Sequence, residues 1–304
     1  MILSLSPGKE PMYKVDIRHN MNILLPELFK NNGPDKEDYQ LIFSIVDQIS
    51  ADEIESFRTA MQPILNPGTI IGFSFTKPFG YNGDFFIIEK IYQNYVSPDP
   101  RYKKWDEFFH TFPAAIAVVN RKKLAKNILA DLHLQSPNNQ GEVLILGSGP
   151  VTEVNEFMIE NPESRLKFDL IDLDKRAIDY AKSKNRRFLS KMSFFNCNII
   201  RFNPAKTYDL IWSAGLFDYF KDKHFVYLLK KYYEYLNPGG ELIIGNFAAG
   251  NPSRKIMEIL GDWFLVHRSA DELKSFALQA GIHPSKIEVD REPLGINLFL
   301  RIKK

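Results

Sequence analysis

Val143-Leu-Ile-Leu-Gly-Ser-Gly-Pro150 is an apolar run that opens onto a glycine pair, and Phe168-Asp-Leu-Ile-Asp172-Leu-Asp174 follows as a second apolar run ending in acids. The spacing predicts a strand, a glycine turn, a helix and a second strand, the first unit of a doubly wound α/β sheet. In such a unit glycines let main chain approach a ligand closely. A carboxylate at the end of the second strand accepts hydrogen bonds from ribose hydroxyls. Gly147, Ser148, Gly149, Asp172 and Leu173 are therefore the expected holders of an adenosine-containing cofactor.

A dinucleotide would ask for a third glycine three residues after the second, so that a pyrophosphate can rest on the helix N-terminus. Thr152 stands there instead, after Pro150, and Glu153 puts a negative charge into the first helical turn, where a pyrophosphate would be repelled. S-adenosylmethionine, with a cationic sulfonium and no phosphate, suits this loop better.

The pattern continues downstream. A helix is expected over residues 175–184, then a short strand, Met192-Ser-Phe-Phe-Asn-Cys197, ending at Asn198. In class I methyltransferases the third strand delivers a side chain to the adenine edge from this place, and Asn198 would do so here. Tyr208-Asp-Leu-Ile-Trp-Ser213 reads as a buried strand whose end, Ala214-Gly-Leu-Phe-Asp-Tyr219, reaches the crevice at the carboxyl edge of the sheet, which adds Gly215 and Asp218 to the cofactor set. A helix over residues 222–235 runs into a turn, Asn237-Pro-Gly-Gly240, before the strand Glu241-Leu-Ile-Ile-Gly-Asn246. Ser269 and Glu272 form a capping box for a helix that stops at Gly281. Two last strands, over residues 286–291 and 296–302, are joined by Glu292-Pro-Leu-Gly295, short enough for an antiparallel pair. The expected fold is α/β: a class I methyltransferase, Rossmann-like open sheet with a C-terminal antiparallel hairpin, preceded by a mostly helical N-terminal domain.

The chain of 304 residues has room for both parts, and 44% apolar residues is ordinary for a globular protein. With 39 basic and 37 acidic residues the net charge of +2 gives no electrostatic ground for nucleic acid or an anionic membrane as partner. A single cysteine, Cys197, excludes an intramolecular disulfide and a Cys-rich metal site, and its apolar strand suggests a core position. The six histidines show no metal-ligand spacing, so no metal is expected. No apolar run approaches the ~20 residues that span a bilayer. Met1-Ile-Leu-Ser-Leu-Ser6 lacks the charged start and long apolar core of a secretory signal. A cytoplasmic protein acting on a small molecule is the expectation.

Ahead of the sheet, helices are expected over residues 35–49 and from Ser50-x-x-Glu53 toward Met61, with breaks at Pro63 and Asn66-Pro-Gly68. A glycine- and aromatic-rich loop, with residues 73–82 as the place for a lid, leads into an amphipathic helix over residues 85–92. A long helical stretch over residues 105–134 is interrupted by Pro113, and Ser136-Pro-Asn-Asn-Gln140 is the natural boundary. The division is thus a helical substrate or lid domain over 1–136 and a cofactor domain over 137–304.

Several segments together resemble one family: Lys77-Pro-x-Gly-Tyr-x-Gly-Asp84 with Ile91-Tyr92, Asn120-Arg121, Leu146-Gly-Ser-Gly-Pro150, Gly215-Leu-Phe-Asp-Tyr219, Asn251-Pro-Ser-Arg254 with Asp262-Trp263, and Gly295-Ile-Asn-Leu-Phe299. They are similar to the bacterial methyltransferases that make the β-hydroxypalmitic acid methyl ester quorum signal. The resemblance covers the chain from about residue 70 onward, with Lys77 and Phe79 as departures from the family's pattern. It implies S-adenosylmethionine-dependent methylation of the carboxyl group of a β-hydroxy fatty acid.

A carboxylate acceptor is ionised at neutral pH and needs no general base, so catalysis would rest on alignment and the exclusion of water. Tyr81, Arg121, Tyr219 and Arg254, all inside the resembling motifs, are the expected catalytic residues; Lys77 is a further basic residue there. Asp84 fits a helix cap, and Asp174 a cap or a solvent-facing position. His110 or His267 would serve as base only for a hydroxyl or amine acceptor. Such an acceptor, a nicotianamine-synthase-like chain transfer, and a non-catalytic cofactor-binding module are the competing functions.

Overall fold

A computed structural model describes residues 17–136, 138 and 140–304. Two expectations fall on other residues: the reading of Met1 to Ser6, and the chain boundary at Pro137 and Asn139, lie outside the described residues.

Among the described residues, seven α-helices precede the first strand: α1 (Ile17–Lys30), α2 (Tyr39–Gln48), α3 (Ile54–Ala60), α4 (Ile70–Thr76), α5 (Phe85–Tyr92), α6 (Pro100–Phe109) and α7 (Pro113–Gln135). Asp84 caps α5 by accepting from the amides of Phe86 and Ile87 at 2.8 and 3.0 Å. Pro113 begins α7, where its missing N–H costs nothing. The stretch expected as an interrupted helix is therefore two helices with a break at residues 110–112. α4 occupies the first part of the segment expected as a loop from residue 73; Thr69 caps it through Gly72 N, and the loop proper is residues 77–84. Ser50 was expected to cap α3, but Glu53 takes the N-cap position, and the Ser50 hydroxyl donates to the Glu53 carboxylate.

The second part alternates strand and helix: β1 (Gln140–Leu146), α8 (Thr152–Glu160), β2 (Arg165–Asp172), α9 (Lys175–Lys184), β3 (Met192–Asn196), β4 (Tyr208–Ser213), α10 (Asp222–Glu234), β5 (Leu236–Phe247), α11 (Arg254–Leu260), α12 (Ala270–Gln279), β6 (Ile287–Arg291) and β7 (Asn297–Lys303). The sheet order is β3-β2-β1-β4-β5-β7-β6. β1 to β5 run parallel, while β7 is antiparallel to both β5 and β6. Central strands covered on both faces need continuous apolar runs, which Val143 to Leu146 and Leu210 to Trp212 supply. Ser269 and Glu272 complete the capping box of α12. Asn237 to Gly240 does not form a turn before a strand. These residues lie inside β5, where the pairing with β4 jumps from Tyr208↔Leu236 to Leu210↔Glu241, and Gly239 at φ +80° absorbs the irregularity.

The helical layer does not close on itself. Its core takes in Phe247 at the end of β5 and Ile256, Met257, Trp263 and Leu265 beyond it. α11 is tied to that layer by Arg58, which donates to the carbonyls of Ile259 and Glu258, and by Lys255, which donates to those of Asp47 and Ile49. A second tie is buried: Glu89 on α5 accepts from Lys184 Nζ on α9 at 2.6 Å and from the Thr152 hydroxyl at the start of α8. Among the described residues no helix is long and apolar enough to cross a membrane.

Candidate active site

The carboxyl ends of β1 to β4 open into one cavity of about 690 Å³, closed on the other side by α5, α7 and residues 81–83. At its base, Gly147 and Gly149 take φ +66° and +53°, the left-handed region that favours glycine. A Cβ on Gly147 would come within 2.9 Å of Leu216, whereas one on Gly149 would meet nothing within 4 Å, so main chain is bare toward the cavity there. Asp172 accepts from Gly149 N at 2.8 Å and Asp174 N at 2.9 Å. Burial pushes its carboxyl up, and those amides oppose the shift. Ser148 Oγ is buried with no hydrogen-bond partner. Leu173 is 69% exposed and lines the cavity, an apolar face beside the acid. Asn198 lines it too, with Oδ1 accepting from Ile200 N at 2.8 Å, which leaves its NH2 for a ligand.

The opposite wall carries charge. Arg121 on α7 is buried, its Nε has no partner, and its guanidinium lies where a Cβ on Gly215 would be 2.8 Å away. Asp218 is 1% exposed; Oδ1 accepts from Phe247 N at 2.6 Å and Oδ2 has no partner. Burial lifts its pKa to about 6, against the pull of Arg121 and Arg268. Burial likewise raises Glu153 and pushes Tyr92 up to about 12. Buried polar groups normally find partners. Yet Asn82 Oδ1, Arg121 Nε, Ser148 Oγ and Asp218 Oδ2, all without one, line this single cavity.

Residues 77–84 cross the mouth. Tyr81 donates to Asp174 at 2.9 Å, Arg176 to the carbonyl of Phe79 at 2.8 Å, and Tyr219 to the carbonyl of Asn82 at 3.1 Å. Trp263 Nε1 donates to the Tyr219 hydroxyl at 2.8 Å. Burial raises the pKa of both tyrosines, so their hydroxyls stay protonated. Asp174 also caps α9 through Arg176 N.

Of the expected catalytic residues, Tyr81, Arg121 and Tyr219 meet at the cavity. Arg254 does not: it sits at the start of α11, half-exposed, paired with Glu258 at 2.8 Å, because that helix packs on the helical layer and not on the sheet edge. Lys77 is likewise spent on Asp262. Cys197 packs against the core as expected, but is not fully buried. β3 ends at Asn196, and Cys197 follows on the cavity wall, half-buried. His110 bonds the Tyr95 carbonyl, and His267 lies beside Asn251; neither lines the cavity.

Comparison with known proteins agrees with this geometry. Residues 143–240 match the model of a methyltransferase domain. The glycine loop and the sheet side of the cavity lie on that segment. Over residues 143–240 the chain thus resembles the class I, S-adenosylmethionine-dependent methyltransferases. A curated relative, alpha N-terminal protein methyltransferase 1 of Dictyostelium discoideum, is 27% identical over 197 residues, 60% of this chain and 71% of that protein. A possible exported protein from Bordetella parapertussis superposes with TM-score 0.66 at 14% identity, covering 96% of this chain and 99% of its own. The S-adenosylmethionine-dependent methyltransferase SibL gives TM-score 0.52 at 15% identity, over 84% and 78%. The two structures share the methyltransferase's fold.

Sequence reasoning passed over several lining residues: Tyr92, Glu153 as a buried wall group, and Trp212, Phe247 and Leu265. One signal was available. Phe85, Ile88 and Tyr92 recur at helical spacing on α5, and Arg121 and Ala125 on α7, so each helix presents a stripe to the cavity.

Proposed function

We propose that this methyltransferase esterifies the carboxylate of a β-hydroxy fatty acid, with residues 1–136 forming the acceptor side and residues 137–304 holding the donor. Arg121 carries the reading: a buried guanidinium with an unpartnered Nε, facing the cavity, suits an anion that arrives already deprotonated. S-adenosylmethionine supplies a methyl group activated on its sulfonium. The residues fit it. Bare main chain at Gly149, the unpartnered Ser148 hydroxyl, Asp172, Leu173 and Asn198 form the nucleoside end of the site, Gly147 and Gly215 make room for the Leu216 and Arg121 side chains that border it, and Asp218 Oδ2 is left to receive an ammonium.

Arg121 then orients the acceptor carboxylate, and the hydroxyls of Tyr81 and Tyr219 flank it as protonated groups. Residues 77–84 exclude water from above, while Phe247, Trp263 and Leu265 offer an apolar wall for an acyl chain. No proton has to be taken from the acceptor, since a fatty acid with pKa of about 4 to 5 is ionised at neutral pH. An amine acceptor is the second reading, favoured by Asp218: a buried carboxylate at about 6 is placed to take a proton from it. The product separates them, because mild alkali releases methanol from an ester and leaves a methylamine intact.

A further inference from the structure

We propose that Arg268 is a positioning residue for methyl transfer: its buried guanidinium clamps residues 217–220 so that Asp218 and Tyr219 present their side chains to the cavity. The proposal rests on the reading that those two side chains meet the reactants.

Arg268 is 1% exposed, in the segment between α11 and α12. Nη1 donates to the carbonyl of Phe217 at 3.2 Å and to Asn246 Oδ1 at 2.8 Å. Nη2 donates to the carbonyl of Phe220 at 2.5 Å and to Asp222 Oδ1 at 2.9 Å. The carbonyls of Phe217 and Phe220 are the two ends of the turn that contains Asp218 and Tyr219. One planar fork therefore spans the turn, which a lysine ammonium could not do with the same geometry. Phe225 and Phe276 flank the guanidinium, with ring centroids 4.8 and 5.5 Å from its carbon.

The surrounding bonds converge on the same two residues. Val266 N donates to the Asp218 carbonyl at 2.8 Å, Phe247 N to Asp218 Oδ1, and Arg268 N to the Phe247 carbonyl at 2.9 Å. Every end of the turn is fixed while Asp218 Oδ2 is left without a partner inside the cavity. An ordinary ion pair does not account for the arrangement. Asp222, which accepts from Nε and Nη2, is 65% exposed, while the remaining hydrogen bonds of the guanidinium go to neutral oxygens of Phe217, Phe220 and Asn246. A buried cation is costly to keep unless it is well partnered.

Arg268→Lys keeps the charge and removes the fork, and Asp222→Asn removes the exposed carboxylate alone. Hydrogen exchange at the amides of 217–220 reads the clamp and needs no acceptor, so failure of the acid assignment leaves this test intact. Turnover is measured with whichever acceptor is methylated. For Arg268→Lys the expected result is exchange at 217–220 at least tenfold faster, with amides of β1 and β4 unchanged, and kcat lower by at least tenfold. Asp222→Asn is expected to keep kcat within twofold of wild type. In Arg268→Ala, added guanidinium ion is expected to restore kcat and ammonium ion is not; should that variant fail to fold, the other two carry the test. Turnover lost without faster exchange, faster exchange without lost turnover, or Asp222→Asn as impaired as Arg268→Lys would each overturn the proposal.

Discussion

Gly83→Ala tests whether the segment across the cavity mouth has to lie where it does. Gly83 sits at φ +65°, and an added Cβ would be 2.4 Å from the Tyr219 hydroxyl and 2.8 Å from Trp263 Cζ2. The left-handed conformation costs an alanine about 1–2 kcal/mol. Moving Tyr219 away forfeits its bond to the Asn82 carbonyl, about 1 kcal/mol more. The sum of about 2–3 kcal/mol falls on a surface segment that can lift locally, so it appears as opening of residues 77–84 and not as global unfolding. At 1.4 kcal/mol per factor of ten, the closed-to-open ratio falls by roughly 30- to 150-fold. The expected outcome is a comparable loss in kcat/KM with the thermal midpoint nearly unchanged. Tyr219→Phe, which breaks the same bond without backbone strain, should lose only about fivefold. A Gly83→Ala enzyme with kcat/KM within twofold of wild type would refute the reasoning.

Arg121→Met should raise the acceptor KM at least tenfold while donor affinity, measured calorimetrically, moves less than threefold; the reverse pattern would place the guanidinium on the donor's own carboxylate. Arg254→Ala, remote from the cavity, should leave both constants unchanged. Asp218 has its pKa raised by burial from 3.8 to about 6. Its protonated form is thus favoured by folding: the contribution to stability is full below about pH 4 and is lost as pH rises through about 6, amounting to about 3 kcal/mol. Denaturation of wild type and Asp218→Asn across pH 4–7 should therefore show the variant gaining relative stability as pH rises. Donor affinity of the wild type should instead weaken as pH falls through about 6, a dependence absent from the variant. Glu89→Gln replaces a buried carboxylate that accepts from Lys184 and Thr152, and leaves the Lys184 cation without its counter-charge. A loss of about 2–4 kcal/mol in urea denaturation is expected.

The sheet was legible because its signals are local. The apolar run at Val143, the glycine pair and the acid at Asp172 each require a particular backbone, and the capping box at Ser269 fixes α12. What stayed hidden is non-local. Nothing in the sequence around Arg254 says that α11 packs on α2 and α3 and turns its first residue outward. Thr152, noticed only as a missing glycine, supplies a hydroxyl to Glu89, 63 residues earlier in the chain. The bulge at Gly239 depends on β4 as pairing partner, so turn chemistry alone misplaced it. The cavity wall was half-visible: its tyrosines and Arg121 lay in quoted motifs, while Ile88 and Ala125 showed only as helical periodicity.

The central claim is tested most directly by transfer of labelled methyl from S-adenosylmethionine into organic-extractable product, using β-hydroxy and unsubstituted fatty acids of several lengths and then mild alkali. The account predicts label that depends on the acid, is released by alkali, and is greatest with a β-hydroxy acid. Saturable donor binding with no labelled lipid, or label that survives alkali, would contradict it.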